Sequence, residues 1–141
     1  MVNRTVFDTN IWISYFLSEK FDELIKLRRE NSVLFLRSLP SMVELKNVVS
    51  RKKFQKNNFN VDKLMRFYVG ISTFCATTVQ FNDCTDPKDN FLFDLAIQGK
   101  ADFLVSGDKK VLGTPLESKS VQIRSLSEFK ASVLTSKNSN G

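Results

Sequence analysis

A chain of 141 residues, 42% hydrophobic and 26% charged, has the size of one globular domain and excludes a disordered or fibrous polymer. Its formal charge of +6 favours an anionic partner, with nucleic acid, phospholipid and acidic protein segments all in scope. The absence of His removes the commonest general base and every Ser-His or Cys-His nucleophile, so hydrolytic chemistry here must rest on carboxylates.

Arg4 to Phe7 is a short β-branched and aromatic run, and the turn Asp8-Thr9-Asn10 leads into the apolar stretch Ile11 to Leu17. This predicts strand, turn, helix, with Thr9 or Asn10 as the helix cap and Asp8 at the carboxyl end of the strand. Trp12 and Tyr15 on that helix are expected in the core or a dimer interface rather than as base-stacking platforms. Helical spacing of Phe21, Leu24, Ile25 and Leu27 precedes the strand-length run Val33 to Leu36. Pro40 and Ser41 open the next helix, with Ser41 read as its cap and Glu44 as the acid of a capping box.

Residues 51–60 are polar, basic and loop-like, and a second helix is expected from Val61 to about Cys75. Thr77 to Phe81 reads as a strand, and residues 82–86 as a turn before a helix from Pro87 to Gln98, closed by Gly99. Asp102 to Ser106 is a further strand ending at Gly107-Asp108. Val121 to Arg124 is the last strand, and Ser127 to Leu134 a short terminal helix. The organisation expected is one domain over 1–134 and a polar, disordered tail over 135–141. No apolar run approaches the roughly 20 residues that cross a bilayer, and no signal-peptide layout is present, so a soluble cytoplasmic protein is expected, with no membrane partner. Cys75 and Cys84 lack a CxxC spacing and read as reduced thiols.

Strands alternating with helices call for an α/β fold: three layers, α/β/α, around a parallel sheet of four to five strands, with the ligand site at the carboxyl ends of the strands. Asp8 and Asp108 follow strands, while Glu44 and Asp89 sit near helix starts at that same edge. Any one of them taken singly reads as a helix cap. Together, four acids on one edge repel one another unless a cation or a basic partner is present. Carboxylates are hard ligands suited to Mg²⁺ or Mn²⁺, which activate water and offset phosphate charge without any His. Arg51, Lys52, Lys53 and Lys56, with Phe54 between them, and Lys109 and Lys110 directly after Asp108, are candidates for contact with a phosphate backbone. Basic runs of this kind are also common on plain solvated faces.

Four separated segments, VFDTNIWIS, SMVELKNVVSRKKF, DPKDNFLFDLAIQGKADFLVSGD and SLSEF, make the chain resemble the PIN-domain family, closest to its branch of toxins of toxin–antitoxin systems. The resemblance runs from Val2 to about Leu134 and implies a PIN-like, Rossmann-like fold. It places the family's acids on Asp8, Glu44 and Asp108, with Ser106 where the family usually has a site-orienting Thr and Asn10 where an Asn supports the first acid. DPKDN offers both Asp86 and Asp89 as the remaining acid, and spacing to the following apolar helix favours Asp89. Asp94 is expected to face elsewhere. What the resemblance further implies is cleavage of single-stranded RNA with Mg²⁺ or Mn²⁺, a cognate antitoxin and a homodimer. The alternatives are a PIN-like module that binds RNA or protein without cleaving, or an RNA-processing nuclease outside toxin–antitoxin systems. A phosphotransfer receiver domain is disfavoured, because the acidic pair, phosphoacceptor Asp and Lys that it needs after its first, third and fifth strands are missing.

Overall fold

The computed structural model describes residues 2–51, 60–116 and 120–139, with side chains to 134. In chain order the elements are β1 (Asn3–Phe7), α1 (Thr9–Leu17), α2 (Phe21–Glu30), β2 (Val33–Arg37), α3 (Leu39–Val49), α4 (Val61–Ile71), β3 (Ser72–Phe74), a 3₁₀ turn (Pro87–Asp89), α5 (Asn90–Gln98), β4 (Phe103–Val105), α6 (Lys109–Leu112), β5 (Gln122–Arg124) and α7 (Leu126–Ser139). All five strands are parallel, in the order β3-β2-β1-β4-β5. The chain winds outward from β1 through β2 to β3, then returns to the other side of β1 to lay down β4 and β5. The reversal makes the gap between the carboxyl ends of β1 and β4 a topological switch point.

Alternation along the strands sorts the core into two halves. Phe7, Phe35, Phe103 and Val105 face α1, α2, α3, α4 and α7, where Trp12, Phe16, Leu24, Leu45, Tyr68 and Phe129 complete one cluster. Val6, Leu36 and Leu104 face the other side, against Leu92, Phe93, Leu95 and Ala96 of α5 and Val111 of α6. This is the three-layer α/β/α arrangement expected from the sequence. Trp12 and Tyr15 are core residues, 2% and 3% exposed, and their rings pack with Phe7. Among the described residues no helix is long and apolar enough to cross a membrane.

Several local readings are corrected. Helix α3 is capped by Ser38, not Ser41: the Ser41 N–H donates to Ser38 Oγ at 3.3 Å, and the Ser38 N–H donates to Ser41 Oγ at 2.8 Å. Pro40 falls in the first turn, where its missing N–H costs nothing. Glu44 is thereby one turn further into the helix and takes no part in the cap. At α1 the cap position is Asp8, rather than Thr9 or Asn10.

Helix α4 stops at Ile71, short of the expected Cys75, and residues 72–74 become the edge strand β3. Arg37 of β2 explains the switch, since its guanidinium donates to the carbonyls of Val69 and Ser72 and to Ser72 Oγ. Residues 77–81, expected as a strand, bend at Val79 and pair with side chains of α5 instead of a ladder. The last helix starts one residue early, capped by Ser125 and Glu128. It runs on to Ser139, past the Leu134 end that polar composition predicts.

Candidate active site

Strand β1 carries the chain to the switch point, and the Asp8 N–H continues the ladder by donating to the Val105 carbonyl at 2.9 Å. The Asp8 carbonyl accepts from the Ile11 N–H and starts α1. Its carboxylate is therefore fixed at the mouth of the sheet, only 6% exposed. Burial raises its pKa above the usual carboxylate value. The Ser106 hydroxyl and the nearby N–H groups of Asn10 and Thr9 pull it back down, and the Asp108 charge adds to the rise. Neither N–H makes a full capping bond to the side chain.

Ser106, fully buried at the end of β4, joins two of the acids. Its hydroxyl donates to Asp8 Oδ2 at 2.7 Å and accepts from the Asp108 N–H at 3.0 Å. Asp108 in turn caps α6, with Oδ1 accepting from the Lys110 N–H at 2.9 Å. One hydroxyl thus ties the Asp8 carboxylate to the main chain of Asp108, a residue distant in sequence. Asp86 and Asp89 come from the 3₁₀ turn before α5: Asp86 Oδ1 accepts from the Lys88 N–H, and the Asp86 carbonyl accepts from the Asp89 N–H at 3.0 Å. Asp86 is a turn cap, whereas the Asp89 carboxylate caps nothing.

Asp89 carries the clearest electrostatic signature of the site. Partial burial, followed by the charges of Asp8, Asp86, Asp108 and Glu44 in that order, pushes its carboxyl from 3.8 up to about 6. The charges of four acids from other parts of the chain and the same turn thus act on Asp89. Among the described residues the two ion pairs, Lys26 with Glu30 and Lys130 with Glu23, involve none of these acids and leave them unneutralised.

The donor set is entirely carboxylate oxygen, which suits a hard divalent cation. Among the described residues no three acids stand close enough to hold an ion by themselves. A protein cage is not what Mg²⁺ requires, because one or two carboxylates with waters and substrate phosphates usually suffice. Asp8 and Asp108, linked through Ser106, are such a pair, and the residues present fit the ion on that ground.

Of the remaining sequence candidates, Asn10 meets Asp8 through its main chain, and its side chain makes no hydrogen bond to that acid among the described residues. Arg51 is exposed just beyond α3, and Lys109 and Lys110 are exposed on α6 beside Asp108. Lys52, Lys53, Phe54 and Lys56 lie outside the described residues. Asp94 does face away from the acids: it is 5% exposed and accepts from the N–H groups of Gln80 and Phe81. Sequence reasoning passed over Lys88 and Phe91, on either side of Asp89. Their one signal was the DPKDNF string itself, which draws the eye to its acids.

The family model described as PIN domain matches residues 4–110. The chain belongs to the PIN domain family. This PIN domain is similar in structure to a chain of VapBC2 from Rickettsia felis, solved bound to a DNA fragment from their promoter. The TM-score is 0.60 at 15% sequence identity, covering 86% of this chain and 98% of that one, a likeness of fold. A search of the curated proteins found no match.

Proposed function

We propose that this PIN domain is a metal-dependent endoribonuclease, cleaving single-stranded RNA with an activated water, and that it is the toxin of a toxin–antitoxin pair. The observation that carries the reading is the Asp89 carboxyl, pushed up to about 6 by partial burial and then by the charges of Asp8, Asp86, Asp108 and Glu44, a gathering of like charge that a bound cation or the uptake of protons relieves. Asp8, Glu44, Asp89 and Asp108 are the acids assigned to the metal, with Asp86, Asn10 and Ser106 supporting them. A bound Mg²⁺ or Mn²⁺ supplies a coordinated water of lowered pKa and a polarised phosphate.

The chain's own residues do the rest. Ser106 orients the Asp8 carboxylate and anchors the Asp108 main chain, so that Asp8 has little to reorganise when substrate arrives. Burial keeps water from the inner side of Asp8, which strengthens its pull on a cation. Arg51, Lys109 and Lys110, with Lys52 and Lys53, are assigned to the RNA phosphates on either side of the cut. The toxin role, a cognate antitoxin, a homodimer and action in the cytoplasm follow from the family resemblance, supported by the shared fold with VapBC2.

The test is cleavage of a mixed-sequence single-stranded RNA by the purified chain, with Mn²⁺, with EDTA, and with an Asp8→Asn control. Cleavage that needs the metal and disappears in the variant is expected. Activity that persists in Asp8→Asn and in Asp108→Asn would sink the metal-site assignment.

A further inference from the structure

A cleft of about 270 Å³ opens between the first turn of α3 and the start of α5. Pro40, Pro87, Phe81 and Phe91 supply its apolar lining, Lys88 adds a positive charge, and the buried Asp94 lies at its inner side. Lys88 and Asn90 of the lining flank Asp89 in the chain, and Pro40 is one helical turn before Glu44, so residues next to two of the acids in sequence reach the cleft, although neither acid lines it. Its outer wall is the segment 77–81, which bends at Val79 and belongs to no strand.

Side chains of α5 hold that wall in place. The Thr78 N–H donates to Gln98 Oε1 at 2.9 Å, and Gln98 Nε2 donates back to the Thr78 carbonyl at 2.7 Å. The N–H groups of Gln80 and Phe81 converge on Asp94 Oδ1 at 3.1 and 2.7 Å. The Phe81 ring is stacked on Phe93, with centroids 4.5 Å apart. A carboxylate as buried as Asp94 is costly unless its bonds are satisfied, so its use on this segment indicates a wall whose position matters.

We propose that this cleft is a base-recognition pocket, taking one unstacked nucleobase of a single-stranded RNA beside the phosphate to be cut. Aromatic surface for stacking, a cation for the adjoining phosphate and a pre-ordered wall are what recognition of single strands uses. The inference rests on the ribonuclease reading. It adds that cleavage depends on the identity of one neighbouring base.

The test is sequencing of the cuts that the full chain makes in a random-sequence RNA pool with Mn²⁺, for wild type, Phe91→Ala, Phe91→Tyr and Val79→Asp. Val79 is 92% exposed, so its substitution leaves the fold intact should Phe91→Ala fail to fold. The wild type is expected to favour one base next to the cut. Phe91→Ala and Val79→Asp should lose that preference, lowering kcat/KM on the favoured sequence about ten- to a hundredfold, the range for one lost stacking contact. Phe91→Tyr should keep it. Uniform slowing with preference unchanged would overturn the pocket and leave the nuclease standing. If folded wild type cuts no RNA, the nuclease reading falls and takes the pocket with it.

Discussion

Ser106 is the residue on which the acids depend most directly, since one hydroxyl serves both Asp8 and the Asp108 main chain. Ser106→Ala leaves a buried N–H and a carboxylate oxygen without their partner, which should cost about 1–3 kcal/mol in urea denaturation. It should also lower metal-dependent cleavage about ten- to a hundredfold, the usual effect of removing a group that orients metal ligands. Ser106→Thr, which keeps the hydroxyl, should restore most of both. At Asp89 the expectation is one of pH. A carboxyl raised from 3.8 to about 6 in the folded chain binds protons more tightly folded than unfolded, so its contribution favours folding below about pH 4 and is lost as pH rises through 6. The metal-free protein should therefore lose stability between pH 4 and 6.5, and Asp89→Asn should flatten that loss. A urea midpoint that falls equally in both proteins would show that Asp89 is not its source. That the charges of Asp8, Glu44 and Asp108 would reach Asp89 could be expected from the sequence, because an α/β layout brings strand ends and helix starts to one edge. The shared hydroxyl was legible only through the family pattern, because a lone Ser after a strand carries no signal of its own.

Among the elements, sequence reading succeeded where apolar periodicity was strong and failed where one side chain decided the outcome. β1, β2, β4 and α2 stand where the pattern puts them. Helix α4 and strand β3 do not, because Arg37 gathers carbonyls from a neighbouring segment, a tertiary effect that no local window contains. The Ser38 capping box was missed for a different reason: Ser41 also precedes an acid three residues on, and only Pro40 in the first turn breaks the tie. Ser38→Ala should cost about 1 kcal/mol, the usual worth of an N-cap, and Ser41→Ala should cost as much or more because Ser41 also meets the Tyr68 hydroxyl at 3.0 Å. Both are read by thermal melting. In α5, Asp94→Asn keeps an acceptor for the Gln80 and Phe81 N–H groups and should be tolerated, whereas Asp94→Ala should free the 77–81 segment to hydrogen exchange.

At the scale of the whole molecule, the positive charge and the acidic edge are complementary parts of one design. On the proposed ribonuclease reading, the formal charge of +6 would draw RNA in, while the acids would concentrate the opposing charge where a cation would sit. Binding should accordingly weaken with salt, with a log–log slope of about −0.7 per phosphate contacted. Lys109→Ala with Lys110→Ala should reduce that slope by about 1.4 if each meets one phosphate. A slope unchanged in the double variant would remove both lysines from the interface. The strand order carries one more consequence. Asp8 and Ser106 are 98 residues apart in the chain and neighbours in space only because β4 returns to lie against β1. A chain still being synthesised has its first acid at once, but nothing to hold it against the last one until the fourth strand has been made and paired. If the proposed ribonuclease activity holds, the nascent chain would be harmless to its own message through most of its translation.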